Sequence, residues 1–363
     1  MKYLTLSLAM ILFDTCEQST NLKSHWDIWE TETLKHYQLS FDEIVILNPN
    51  EALLFGEEDT RENRQLMREQ QNLYHTGFAV IYKTKDGGKT WHKETFEKGG
   101  FWHTCQSGST LYATKVVNHG RLAEKTSILY RSTDKGKTWE VINEFIGGVS
   151  FLALDEQANG YIGGVKIDSI KHSRAYSYDV YEVKKGQLKE QTDKISYPAT
   201  WKPESKEILY TKQSESSKIK SLFCIFDTES KTLTEHELPE GVNGYFAHRS
   251  ENNYWIIGEK NDKCYLYKKG LNSEFEFVYQ FDLNENTFPK SLKIFGKEMV
   301  VIIGMRKGTS TENTTFFSSD LGKTWHEEQL PKPQYLDPVD FIQTEEGIFG
   351  MAYSGSGRVQ VRK

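Results

Sequence analysis

The chain of 363 residues has little of what most chemistries require. Its four cysteines, Cys16, Cys105, Cys224 and Cys264, stand at no metal-ligand spacing, and Cys-x-x-Cys, glycine-rich phosphate loops and paired histidines at ligand spacing are all missing. No metal and no cofactor are expected. With Cys16 set apart the cysteine count is odd, which does not complete a disulfide framework. The other three fall in predicted strands and read as buried thiols, with a contact between Cys224 and Cys264 left open because they hold similar places in adjacent repeats. The net charge of −6 lacks the basic footprint that nucleic-acid binding needs. Only 8 prolines and few apolar helical patterns, beside 13% aromatic residues, favour an all-β chain.

Long apolar runs are scarce too. Lys2 precedes one from Leu4 to Phe13, the length of a signal-peptide core and too short to span a bilayer. Residues 1–16 are therefore expected to be an export signal. Cys16 closes the run ahead of the polar Glu17 to Ser24, the layout of a lipoprotein signal, although Phe13-Asp14-Thr15 is a poor match to the small residues expected there. Residues 17–32 read as a tether and 33–363 as one domain.

What the chain does have is a repeat. Thr84-Lys85-Asp86-Gly87-Gly88-Lys89-Thr90-Trp91 recurs as Ser132-Thr133-Asp134-Lys135-Gly136-Lys137-Thr138-Trp139 and as Ser318-Ser319-Asp320-Leu321-Gly322-Lys323-Thr324-Trp325. In each copy strand formers run into an Asp/Gly turn and Trp opens the next strand, a hairpin with specialised turn chemistry. The pattern Ser/Thr-x-Asp-x-Gly-x-Thr-Trp resembles the Asp-box, or BNR, repeat known from sialidases, sortilin-type receptors, xyloglucan-cleaving enzymes and photosystem assembly factors. That resemblance implies a β-propeller and no particular chemistry. It also implies a structural role for Asp86, Trp91, Asp134, Trp139, Asp320 and Trp325.

Asp86 and Asp134 are 48 residues apart and Asp134 and Asp320 are 186 apart, four steps of about 46 in a fold whose blades run to roughly 40–50 residues. Degenerate turns at Val183 to Gly186, Phe226 to Thr232 and Tyr267 to Gly270 supply the missing three. Three strands without a box follow, at Val339 to Thr344, Gly347 to Tyr353 and Gly357 to Arg362. Joined by an orphan strand at Thr33 to Ser40, they predict a seventh, composite blade that closes the ring. The expectation is a seven-bladed propeller of four-stranded antiparallel blades, with six blades as the alternative.

With strands lettered A to D from the centre, the boxes are C–D turns and share a face with the A–B turns. The B–C loops and D–A connections lie on the other face, where sites in this fold usually sit. There the sequence offers Arg61, Arg64 and Arg68 in an insertion, then Arg121, His172, Arg174 and Arg306, with Trp102, His103, Trp201 and Tyr245 at D–A connections. Aromatic rings beside cations suit a glycan or an anionic partner. An exported, monomeric, non-catalytic propeller binding a protein or glycan at the cell envelope is the leading expectation, membrane-attached only through a lipid on Cys16. The alternatives are a sialidase-type glycoside hydrolase and an assembly or immunity-type factor that sequesters one protein. Against the hydrolase stand ten arginines, no Arg-x-Pro, and a single arginine, Arg249, on a predicted inner strand.

Overall fold

The computed structural model describes residues 26–34, 39–58, 77–118, 125–166, 177–192, 195, 199–202, 205–214, 217–283, 286–307, 310–329, 339–354 and 357–363. These form seven sheets of four strands, each ordered as an up-and-down meander except where the chain ends meet. The innermost strands are Leu39–Asn48, Gly100–Ser107, Gly148–Leu154, Ala199–Lys202, Asn243–Ser250, Thr287–Phe295 and Val339–Thr344. Each contacts the next around the ring, and the last contacts the first. The molecule is a closed seven-bladed β-propeller.

What holds the ring is the packing of blade on blade. Seven buried clusters occur, one in each gap between neighbouring sheets. Phe55 and Ile81 of the first blade, for example, lie against Phe101, Leu111 and Ala113 of the second. Alternate residues of a strand face opposite gaps, so every strand of this fold must be apolar on both sides near its middle. Runs such as Leu53-Leu54-Phe55 and Val300-Val301-Ile302-Ile303 meet that demand and are buried throughout.

The seventh blade is composite, as expected, but its fourth strand is not the predicted one. Trp26–Glu30 pairs antiparallel with Arg358–Arg362, from Trp26 opposite Arg362 to Glu30 opposite Arg358. Thr33 belongs to a short 3-10 turn, Glu32–Leu34, residues 35–38 lie outside the described residues, and Leu39 and Ser40 open the inner strand of the first blade. The reason is geometric. The chain must cross from the outer edge of one sheet to the inner edge of the next, and Leu34, fully buried, pins that crossing. Trp26 is buried as well, edge-on to Phe341 at 6.0 Å, so the strand begins inside the segment read from sequence as a tether.

The three intact turns are built alike. Thr84 Oγ1 donates to Asp86 Oδ1 at 2.8 Å and accepts from Gly88 N at 2.8 Å, while Thr90 N and Oγ1 donate to the two Asp86 oxygens at 2.9 and 2.6 Å. The same bonds recur at Ser132, Asp134, Gly136 and Thr138 and at Ser318, Asp320, Gly322 and Thr324. The hydroxyl and backbone N–H of Thr324 hold the Asp320 carboxyl at about 2, and those of Thr138 depress Asp134 further. Lys135 and Leu321 adopt φ of 59° and 57°, left-handed positions where the first copy has Gly87. The Trp91 and Trp325 indoles donate to Gly88 O and Gly322 O at 2.9 Å, and their rings, with that of Trp139, enter the inter-blade clusters. These acids are committed to their own turns.

In the first and sixth blades the C–D turn also donates to the A–B turn, Gly87 N to Asn50 O and Leu321 N to Lys297 O at 2.9 Å, so the two turn types share a face. The thiols of Cys105, Cys224 and Cys264 are free, and Cys224 and Cys264 lie in different gaps, which excludes the contact left open above. Burial pushes the Cys105 and Cys264 thiols up to about 12.

Candidate functional site

The inner strands share a feature that the sequence reading did not anticipate. In five blades the A strand carries one residue more than the strand it pairs with, always near its entrance: the register skips Asp42, Trp102, Ser150, Tyr245 and Lys290. A bulge of this kind bends the strand and re-aims one side chain, and bulges concentrate at barrel rims and sites. Their equivalence places an acid, an indole, a phenol and an amine at one level around the channel mouth.

Glycines opposite the bulges make the bend possible. Gly56, Gly164 and Gly258 pair with the residue just ahead of the extra one. A Cβ at Gly56 would stand 2.0 Å from Ser40 O, and at Gly258 2.6 Å from Asn243 O. No side chain fits either contact. In the second blade Lys115 replaces the glycine; it is buried, 3.7 Å from Glu97 and over the Tyr130 ring at 5.8 Å.

Of the predicted residues, Trp102, His103, Tyr245 and Arg306 lie at this end of the described structure. A Cβ on Gly100 would stand 3.0 Å from Glu57 Oε2 and 3.5 Å from Trp102 Nε1, and Glu57, itself buried, accepts from Gly77 N at 2.9 Å. Arg306 stacks on Phe288 at 5.1 Å, and its backbone N–H donates to Asn286 O at 3.1 Å. Burial raises the Tyr245 phenol and nearby Glu259 adds to the rise, against the opposing charge of Arg306. Tyr245, Glu259, Phe288 and Arg306 thus form one patch at the gap between the fifth and sixth blades. Arg61, Arg64, Arg68, Arg121, His172 and Arg174 lie outside the described residues.

Trp201 is on the wrong end. It pairs with Ile208 beside the turn that joins Lys202 to Glu207, and it lines a groove with turn residues of the third and fourth blades. Pro198 suggested a full-length inner strand entering just ahead of Trp201, whereas the described strand has only four residues, Ala199–Lys202.

Deeper in the channel the predicted His103 meets groups that sequence reasoning missed, Glu43, Lys293 and Asp340. His103 Nδ1 approaches Glu43 Oε1 at 3.4 Å, Lys293 is ion-paired with Asp340, and Asp340 Oδ2 accepts from Ile46 N at 3.2 Å. Four adjacent blades, the sixth, seventh, first and second, contribute these side chains. The inner strands enclose the Lys293 ammonium, and that loss of water lowers it to about 8 although Glu43 pulls the other way. Each of these residues stands in an inner-strand run that reads as ordinary amphipathic β, so no local pattern marks it. The bulges did leave a signal, an apolar pair followed by glycine in the B strand at Leu54-Phe55-Gly56 and Ile256-Ile257-Gly258, with Ile162-Gly163-Gly164 in the third blade.

No family model matches the sequence, and no curated protein matches it. Among solved structures the chain is similar to the Pyrococcus horikoshii acylaminoacyl peptidase, with 11% identity and a TM-score of 0.56 over 88% of this chain and 50% of that one. It is also similar to the β-propeller domain of the Trilobed protease from Pyrococcus furiosus, with 10% identity and a TM-score of 0.48 over 87% and 96% of the two chains. A Trypanosoma rangeli sialidase aligns at 10% identity and a TM-score of 0.42 over 90% of this chain and 54% of that one. The chain spans about half the length of the peptidase and of the sialidase. At such identities the likeness is one of fold: this chain is a β-propeller.

Proposed function

We propose that this chain is an exported, non-catalytic propeller of the Asp-box type that binds a protein or glycan partner at the cell envelope through its B–C loop face. The observation that carries the reading is the level ring of bulges, which sets Trp102, Tyr245 and Lys290 around the channel mouth. Indole, phenol and amine together offer stacking surface, hydrogen bonds and charge, the mixture found at the centres of interfaces and sugar sites. The bulge ring sits above a channel whose polar groups are already paired with one another, His103 with Glu43 and Lys293 with Asp340. A sialidase-type hydrolase is the second reading, and Glu43 and Asp340 are the carboxylates it would have to use.

The test is a pull-down from native envelope with the full chain and with a Trp102→Ala, Arg306→Glu variant. A partner retained by the parent and lost by the folded variant is the expected result, and its class separates an assembly-type factor from a glycan binder. Turnover of a fluorogenic sialoside, lost in Glu43→Gln, would instead establish the hydrolase. Attachment through Cys16 is tested separately: Cys16→Ala is expected to release the protein from membranes, and unchanged membrane association would remove the anchor.

A further inference from the structure

The turn face carries a second feature, in the gap between the third and fourth blades. A groove of about 490 Å³ opens there, walled by the A–B and C–D turns of the third blade and the C–D turn of the fourth. The equivalent groove between the first and second blades measures about 280 Å³, and that between the sixth and seventh about 200 Å³. In the first of these smaller gaps the Trp139 ring packs edge-on to Phe55 at 5.8 Å, and in the second the Arg362 guanidinium lies 3.8 Å over Phe317. The fourth blade's turn has neither. Only residues 227–232 separate its paired ends, Phe226 and Leu233, against 84–91 in the first blade, and it contains no tryptophan.

The lining is chemically specific. Trp201 presents a half-buried ring to the groove, backed at 6.4 Å and an inclination of 49° by the buried ring of Tyr161. The Trp201 Nε1 hydrogen is buried and has no acceptor. Lys231 lies over the Tyr161 ring at 4.9 Å and bonds Glu182 at 3.0 Å, while Lys184, Lys185 and Lys189 stand exposed on the rim. Four lysines therefore face two carboxylates, and one of these, Asp155, is tied into its own turn by Gln157 N and Asn159 N at 2.9 and 2.8 Å. On a chain of net charge −6 this is a local excess of positive charge.

We infer that this groove is a binding site for a carboxylate-bearing oligosaccharide, separate from the channel mouth and independent of the function proposed for it. Its volume falls in the range of small-ligand pockets, roughly 300–1,000 Å³, and not in that of a flat protein interface. A sugar ring face stacks on the Trp201 indole, rim lysines neutralise the carboxylates, and Glu182 and Asn159 accept hydroxyl hydrogens.

The test is calorimetric titration of the full chain with trigalacturonate and with its neutral methyl ester. Saturable binding of the acid, at least tenfold weaker for the ester and at least tenfold weaker in Lys185→Glu, Lys189→Glu, is the expected result. Both substitutions are at exposed positions, so a circular dichroism spectrum that matches the parent shows the fold is kept. Trp201→Phe, which retains a ring in the gap, is expected to weaken binding about threefold. Equal binding of acid and ester, no binding of the acid at millimolar concentration, or binding indifferent to the charge reversal would each overturn the inference. So would tighter binding of hexaglutamate at the same lysines, which would make the groove an acidic-peptide site.

Discussion

The first, second and sixth blades close their outer hairpins with the same eight-residue turn, whereas the third, fourth and fifth use three different ones. In the fourth, Asp227 accepts from Glu229 N and Ser230 N at 2.9 and 2.7 Å, a local turn that no longer reaches a tryptophan. The third relies on Lys185 and Gly186 at φ of 50° and 76°, and the fifth on Ser273 Oγ accepting from Gly270 N at 2.8 Å. All six hairpins nevertheless form, and all seven gaps are filled. The conserved-looking turn is therefore one way of plugging a gap, and where the plug is missing the gap can be left open toward solvent.

If the intact turns act as plugs, removing one must cost far more than altering its rim. Trp91→Ala, which empties a buried site, is expected to lower stability by about 3–5 kcal/mol, the usual cost of a large-to-small change in a core, read by urea unfolding. A loss under about 1 kcal/mol would break the distinction between the two sets of blades. Next comes the hydroxyl that organises the turn. Ser132→Ala leaves the buried Gly136 N–H without its acceptor and is expected to cost about 1–3 kcal/mol, whereas Ser230→Ala in the fourth blade, which removes only an exposed hydroxyl contact, should be near neutral.

Acid sharpens the comparison further. A carboxylate whose folded value is depressed stabilises the fold above its ordinary value of 3.8, and that contribution disappears as pH falls toward the folded value, about 2 for Asp320. Melting temperatures taken from pH 5 to pH 2 should therefore fall less steeply in Asp320→Asn than in the parent. An identical slope would show that the turn does not hold its carboxylate as described. The smallest effect is expected at the rim, where Arg131 meets Glu140 at 2.7 Å in the open: Glu140→Ala should change stability by less than about 1 kcal/mol.

The legible part of this molecule was its outer hairpins, because turns of this kind need particular residues at fixed offsets, Asp86, Gly88 and Trp91 in the first copy. Counting them predicted the blade number and the composite closure. The closing strand was misplaced because Trp26-Asp27-Ile28-Trp29-Glu30 sits at an edge, where only Trp26 is fully buried and the pattern is weak. Trp201 was put on the wrong face because the prediction assumed a full-length inner strand after Pro198. The channel was least legible of all. Glu43, Lys293 and Asp340 come from strands separated by up to three hundred residues, and a single sequence shows no pattern that joins them.

The pairing of Trp26–Glu30 with Arg358–Arg362 also sets a schedule. A ribosome adding roughly 5–20 residues per second needs on the order of tens of seconds to travel from the first of these strands to the second. Six blades can stack as they emerge, each on its predecessor, but the ring stays open until Arg358–Arg362 has been made. During that interval the face of the first blade that will meet the seventh and the leading face of the newest blade are both uncovered, apolar surfaces open to another chain. A nascent-chain crosslinking experiment should find chaperones on the first blade until the last strand has cleared the exit tunnel. The circle is completed only by Arg358–Arg362, so premature termination upstream of that strand yields an arc and not a smaller ring.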